Sequence, residues 1–322
     1  MDYSKISIKR YSNEFYNEWN KIVISSKNSS LLQLRSFIEY HKDDFKDHSC
    51  IIYKGNKPLY VFPASEHGDE IRSHGGLTFG GLIMPFSAKS LEVISVIDSL
   101  FSYYRTLRFK SIIYKPTPYI FHKVPSEEDI FAINQLNASL YRYDISYVID
   151  RNNPREFSYL RRRKIQLAIK KNIICIIYNN NNITNNILAI FFKILNQSLE
   201  KFNTYPVHNI DEIKYLMNKH SENIYLYIAV ESNEIIAGSL VFRYHQTTHT
   251  QYMATSIRGR ETGALDLVIS TILEKEPIQV RYISFGRSCK DKESPNLNEG
   301  LVFQKEGFGA SAVMFNQYKI EV

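Results

Sequence analysis

IIAGSLVFRY (235–244), HTQYMATS (249–256), IRGRETG (257–263) and ALDLVISTILEK (264–275) follow one another almost without interruption, and their order decides the fold. The first two segments read as strands, rich in β-branched and aromatic residues. The third is a loop with two glycines, and it opens the helix that follows. Upstream, IYLYIAV (224–230) is a further strand and ESNE (231–234) the turn of a hairpin. Downstream, VRYISFG (280–286) closes the block as a strand. Hairpins that feed a helix and then another strand describe a mixed α/β sheet.

The same pattern occurs earlier in the chain. CIIYK (50–54), the turn GNKP (55–58) and LYVFPA (59–64) form a hairpin, and IRSHGGLTFGGLIM (71–84) reads as a strand broken by glycines. SLEVISVIDSLFSYYRTLR (90–108) carries Leu91, Ile94, Ile97, Phe101 and Tyr104 at helical spacing, and SIIYKP (111–116) is the closing strand. Helices are expected at 12–26, 36–45, 154–171 and 186–202, with a strand at ICIIY (174–178). Pro154 suits the start of its helix, where a missing N–H costs nothing. The RNNP stretch (151–154) breaks the pattern, so the expected architecture is α/β (α+β), divided into residues 1–152 and 153–322.

Composition narrows the function. A chain of 322 residues suits two domains, and 44% hydrophobic with 23% charged residues is ordinary for a packed protein. The opening MDYSKISIKR has no apolar core of a signal peptide, and no window is apolar enough for an integral membrane segment. Cys50, Cys175 and Cys289 are too scattered for a disulfide framework or a zinc site. No metal is expected, and a reducing cytoplasm is the expected compartment. A net charge of +7 suits anionic small molecules such as CoA or nucleotide sugars. No G-x-S-x-G elbow or G-x-G-x-x-G fingerprint is present, which argues against an α/β-hydrolase and a dinucleotide enzyme.

Four segments, SHGGLTFGGLI (73–83), YPVHNIDEIKYL (205–216), AGSLVFRYHQTTHTQYMATSIRGRETGALDLVI (237–269) and FGRSCKDKESPNLNEGLVFQKEGFGA (285–310), together resemble the GNAT-like acyltransferases of the FemAB-related superfamily, a group common in surface-polysaccharide gene clusters. The resemblance implies two tandem GNAT-like domains with a cleft between them. It also implies transfer of an acyl group from a thioester or an aminoacyl-tRNA ester. In the simple GNAT phosphate loop, Arg260, Gly263 and Leu265 occupy the signature places, and Leu265 departs from the glycine or alanine expected there. The resemblance places Lys305 near the acyl centre, where an ammonium stabilises an oxyanion.

The residues themselves suggest the remaining roles. Arg258, Gly259, Arg260 and Gly263 are the candidates for donor phosphates, through helix-terminal N–H groups and guanidinium contacts. His74 and His208 are the candidate general bases. Tyr252 is a candidate to protonate a leaving thiolate, and Gln251, Ser256, Asn298 and Arg163 are candidate substrate contacts. Simple strand alternation puts Gln251 and Tyr252 on opposite faces. The run Arg161 to Lys164 with Lys170 and Lys171 spreads around a helix, as a solvated face does.

The first reading is therefore an acyltransferase that moves an acyl group, acetyl first, from acyl-CoA to an amine or hydroxyl of an amino-sugar or related precursor, with a nucleotide sugar as one form of the acceptor. The second is an aminoacyl-tRNA-dependent ligase of the peptidoglycan type. A non-catalytic nucleotide-sugar binding module is the rival from another class.

Overall fold

The computed structural model describes residues 6–200, 203–290 and 296–322. Contacts group the chain into two compact units. Unit 1 holds the chain up to Asp144 together with Met314–Val322, and unit 2 holds Ile145–Val313. The C-terminal stretch thus packs with the first unit, whereas the pattern of the sequence had assigned it to the second half.

Unit 1 runs through β1 (Ile6–Arg10), α1 (Tyr16–Ser25), α2 (Arg35–Ile38), β2 (Lys46–Asp47), β3 (Cys50–Lys54), β4 (Lys57–Phe62), β5 (Ser65–His67) and β6 (Glu70–Arg72). It continues through α3 (Ser90–Thr106), β7 (Ser111–Tyr114) and α4 (Glu128–Gln135) into the first half of β8 (Ser139–Asp150). β1, β3 and β4 form a small antiparallel sheet. β2, β5, β6 and β7 form another, in which β6 and β7 are parallel. α3 buries Val93, Val96, Ile97, Leu100, Phe101 and Tyr104, a stripe at helical spacing, against Ile52, Phe62 and Ile112 of the strands. Full burial of such side chains contributes about 1.5–3 kcal/mol each.

The glycine-rich stretch after β6 is not a broken strand, as its sequence suggested. The strand ends at Arg72, and His74 takes a left-handed φ of 45°. Lys115 then donates from Nζ to the carbonyls of His74 (2.7 Å) and Leu77 (2.6 Å), which turns those groups away from any ladder.

Unit 2 takes the second half of β8 and then α5 (Tyr159–Lys170), β9 (Ile174–Tyr178), α6 (Asn185–Glu200), α7 (Ile210–Lys219), β10 (Ile224–Glu231) and β11 (Glu234–Arg243). After these come β12 (Thr247–Thr255), α8 (Ile257–Thr262), α9 (Ala264–Lys275), β13 (Tyr282–Arg287) and α10 (Glu299–Gly307). The last strand, β14 (Ser311–Glu321), begins in unit 2 and ends in unit 1, where Tyr318–Glu321 pair antiparallel with β7. In unit 2 the strand order is β8, β13, β12, β11, β10, β9, with only the β12–β13 pair parallel. α9 buries Ala264, Val268, Ile269 and Ile272 against Ala229, Val241 and Ile283.

Two helices begin or end elsewhere than expected. α5 starts at Tyr159 because Ser158 caps it, its hydroxyl accepting from the Arg161 N–H, and Pro154 lies ahead of the helix. Residues 257–262, expected as a loop, form α8, capped by Ser256 and stopped by Gly263 at φ 77°. The expected helix 186–202 runs as α6, with residues 201–202 outside the described ones. Among the described residues, no helix is long and apolar enough to cross a membrane, and no cluster of His, Cys, Asp and Glu could hold a metal ion.

Candidate active site

The parallel ladder between β12 and β13 is short. Thr247–His249 pair with Tyr282–Ser284, yet β12 continues to Thr255 and β13 to Arg287. Both strands become irregular just past the ladder. β12 carries an extra residue, Gln251, between the partners of Val241 and Leu240, and β13 shifts register against β8 between Ser284 and Arg287. Gly286 makes the second irregularity possible with its left-handed φ of 67°, and a Cβ there would press on the His249 ring at 3.1 Å. The parallel ladder between the two strands therefore ends at His249 and Ser284.

The extra residue on β12 also overturns the simple alternation expected for Gln251 and Tyr252. A bulge breaks the two-residue period. Gln251 is among the groups that lower the Tyr252 pKa against the effect of burial. The Tyr252 hydroxyl accepts the backbone N–H of His208 (3.1 Å) and lies 2.7 Å from His208 Nδ1. The Tyr252 hydroxyl and His208 Nδ1 thus share one hydrogen bond, in which the phenol can donate to a neutral imidazole that carries its hydrogen on Nε2. Burial holds the Tyr252 pKa above its ordinary value. Asn209 caps α7 in a reciprocal capping box with Glu212 and so fixes the segment that carries His208.

Beside this pair lies an open groove of about 460 Å³, lined by Phe192, Lys193, Asn196, Gln197, Glu200 and Tyr205 among others. Phe192 belongs to both, because its ring meets that of Tyr252 edge to face at 6.4 Å. Two of the residues singled out from the sequence therefore converge: His208 and Tyr252. The groove itself was missed, because α6 reads from its sequence only as an amphipathic helix.

Lys305 sits on α10, not on a strand, and is 2% exposed. Its Nζ donates to the carbonyls of Gly286 and Arg287 and to Ser288 Oγ, each at 2.8 Å. These acceptors lie at the end of β13, past its ladder with β12. All three N–H bonds are thereby engaged. Burial lowers the Lys305 pKa to about 7. The histidine that feels its charge is His249, brought down to about 4 chiefly by burial. His249 was read only as the first residue of a strand, and no sequence signal set it apart. Asn298 caps α10 by accepting the Leu301 N–H (3.1 Å), which gives it a structural task.

The expected phosphate turn packs closely against neighbouring elements. A Cβ on Gly263 would run into the backbone carbonyl of Lys164 on α5, and one on Gly259 into the carbonyl of Ile236. The Gly259 N–H donates to Ser256 Oγ (3.0 Å) and the Arg260 N–H to the Ser256 carbonyl (3.0 Å). Arg258 forms a bidentate pair with Glu231, both bonds at 2.7 Å. Asp266 in the first turn of α9 accepts from Arg161 at 2.9 Å. These two glycines serve close helix and strand packing, and Ser256 serves as a cap. Arg260 and Arg163 have exposed side chains.

His74 belongs to unit 1 and is 1% exposed, packed against the rings of His41 and Phe45. Burial lowers its pKa to about 3, which leaves it neutral across the range where a histidine base works.

Solved structures share this fold. FemX aligns with a TM-score of 0.69 at 11% identity, over 98% of this chain and 97% of that one. The C-terminal domain of a putative lysylphosphatidylglycerol synthetase from Agrobacterium fabrum aligns at 0.62 and 8% identity, over 96% and 92%. A tandem GNAT protein from the clavulanic acid biosynthesis pathway aligns at 0.53 and 7%, over 98% of both chains. The chain thus has a GNAT-like fold of the FemX type. No protein-family model and no curated protein matches it.

Proposed function

We propose that this chain is an acyltransferase whose second unit hands an acyl group, acetyl first, to an amine or hydroxyl of an amino-sugar or related surface-polysaccharide precursor. The observation that carries the reading is the Tyr252–His208 pair beside a groove and on the strand that parts from β13. The acceptor rests in the groove. Phe192 and Tyr205 offer aromatic faces to the apolar side of a sugar ring, and Asn196, Gln197 and Glu200 offer polar groups to its hydroxyls. The acyl donor enters between β12 and β13.

As the acceptor attacks the acyl carbonyl, a bond forms from its nitrogen or oxygen to the carbonyl carbon. Tyr252 passes its proton to His208 Nδ1 and takes the acceptor's proton in exchange. Collapse of the tetrahedral intermediate expels the donor's thiolate or alkoxide, which recovers the proton from the same pair. No covalent enzyme intermediate is required, since holding both substrates together supplies much of the rate.

A second reading concerns the donor. A Cβ on Gly259 or Gly263 would meet neighbouring backbone, so both glycines have a packing reason that needs no diphosphate. An aminoacyl ester on tRNA is therefore weighed as donor beside acyl-CoA. A thermal-shift screen with acetyl-CoA, longer acyl-CoAs, charged tRNA and nucleotide amino sugars tests both, since a ligand of the native state raises the melting temperature. Transfer by the hits is then followed by mass spectrometry. Stabilisation by an amino sugar without transfer from any donor would leave a binding module.

A further inference from the structure

One stretch of the chain carries a large excess of positive charge. Residues 155–178 hold seven cations, Arg155, Arg161 to Arg163, Lys164, Lys170 and Lys171, against the single acid Glu156, an excess of six in a chain whose net charge is +7. Only Arg161 is buried, in its pair with Asp266. Arg155, Arg162, Arg163, Lys170 and Lys171 face solvent. Glu156 pairs with Arg162, so the segment has no acid left for the others. An anionic partner is the complement of this surface.

The apolar side chains between these cations define which anion. α5 turns only Arg161 and Ala168 fully inward. Tyr159 and Ile169 are left 74% and 52% exposed, and Ile174, where β9 begins, 57%. Leu160 and Leu167, seven residues apart and so on one flank, are exposed as well. A single-stranded nucleic acid seeks aromatic rings on which its bases stack, and Tyr159 is the one exposed ring on this helix. Aliphatic side chains gain nothing from a phosphodiester backbone. They gain from the boundary between lipid headgroups and acyl chains, where lysine and arginine also reach outward to headgroup phosphates.

From this alternation of exposed cations and aliphatic side chains along α5, we infer that the helix is a docking surface for an anionic lipid bilayer, which it meets lying in the interface plane. The helix is about 18 Å long. Neither ingredient suffices alone: few apolar groups give weak insertion, and charge alone gives weak, salt-sensitive attraction. Together they make reversible attachment of unit 2.

Flotation of the full chain with vesicles tests this. Vesicles of phosphatidylcholine with one third phosphatidylglycerol are compared with pure phosphatidylcholine, at low and high salt, with and without bulk tRNA as competitor. The expected result is binding to the anionic vesicles only, weakened by salt. Lys170→Glu/Lys171→Glu should reduce it more than ~10-fold, since each cation near a membrane surface is worth about fivefold. Ile169→Ser/Leu167→Ser should reduce it while leaving the salt dependence in place. These side chains lie on the surface, and an unchanged melting temperature establishes that both variants are folded. Equal binding to neutral vesicles, unaltered binding by either variant, or binding of tRNA with no binding of vesicles overturns the inference.

Discussion

The Tyr252 hydroxyl is tied to His208 twice, at 2.7 Å to Nδ1 and at 3.1 Å to the backbone N–H. One side chain thereby helps to position the other. If this pair moves the proton in acyl transfer, Tyr252→Phe should lower kcat by roughly 10²–10³, the scale of a lost acid–base group. The fold should weaken by only about 1–3 kcal/mol, for one backbone N–H left without its partner. Steady-state rates and a urea melt of the same preparation check both numbers. A variant with full turnover would exclude the pair from the chemistry.

Lys305 leads to a different outcome from the one its sequence setting suggested. Between Phe303 and Phe308 it reads as a lysine that methionine could replace without harm to the fold. Its three bonds to Gly286, Arg287 and Ser288 say otherwise. Lys305→Met removes the donors from two backbone carbonyls and one hydroxyl at the end of β13. The expected loss is about 3 kcal/mol or more, since buried groups left without partners cost about 1–3 kcal/mol each. Denaturant unfolding decides it, and an unfolding midpoint equal to that of the parent would return Lys305 to the list of groups available to an oxyanion.

Glu276 should be the most sensitive polar position in unit 2. Its carboxylate is buried and accepts from Tyr227 Oη (2.7 Å), Thr248 Oγ1 (2.5 Å) and twice from Arg243 (2.8 and 3.0 Å). Glu276→Gln leaves the Arg243 guanidinium facing a neutral amide and should cost about 3–5 kcal/mol, the range for breaking a buried ion pair. The midpoint of a urea melt reports it, and a shift no larger than that of a surface substitution would contradict the network.

Much of the fold was legible because period and punctuation are local. The hairpin of β10 and β11, the helix α9 and the closing strand β13 all follow from apolar spacing and turn residues. What escaped depends on partners distant in sequence. Nothing near Gly263 announces that the backbone of Lys164 will lie against it, so its glycine reads equally well as a cradle for phosphate. The bulge at Gln251 is invisible to an alternation rule. His208 and Tyr252 were each recognisable as candidates, but their pairing across 44 residues was not. Asn298 and Ser256 were legible as polar residues and not as helix caps, since a cap is defined by the helix that follows it.

Acid should weaken unit 1 through His74. Burial lowers its pKa from 6.5 to about 3, so the unfolded chain binds a proton there that the folded chain refuses. A depressed pKa contributes stability that is fully present above 6.5 and is lost as the pH falls toward 3. The slope approaches about 1.4 kcal/mol per pH unit for one such group. His74→Asn keeps a residue that tolerates the left-handed φ of 45° and does not titrate. Its unfolding free energy should therefore fall less steeply between pH 6 and 4 than that of the parent. Parallel slopes, measured by urea melts across this range, would show that His74 is not the group responsible.

The last prediction separates packing from phosphate binding in the α8–α9 turn. Gly263 has φ 77°, and a Cβ on it would collide with the Lys164 carbonyl of α5. Gly263→Ala should therefore destabilise the protein with no ligand present, by roughly 1–2 kcal/mol for the left-handed backbone and more for the collision. Arg260 offers the opposite test, since its exposed side chain can be removed without disturbing the core. Arg260→Ala should leave the unfolding midpoint within about 0.5 kcal/mol of the parent, as surface substitutions do. If a diphosphate donor nonetheless engages this arginine, its affinity in the variant should fall by about 1.5–3 kcal/mol, the worth of a hydrogen bond to a charged group. The donor found in the thermal-shift screen provides the titration, with Gly263→Ala measured alongside for stability alone. A stable Gly263→Ala chain combined with a large loss of donor affinity in Arg260→Ala would reverse the present assignment, making the turn a phosphate site that α5 vacates on binding.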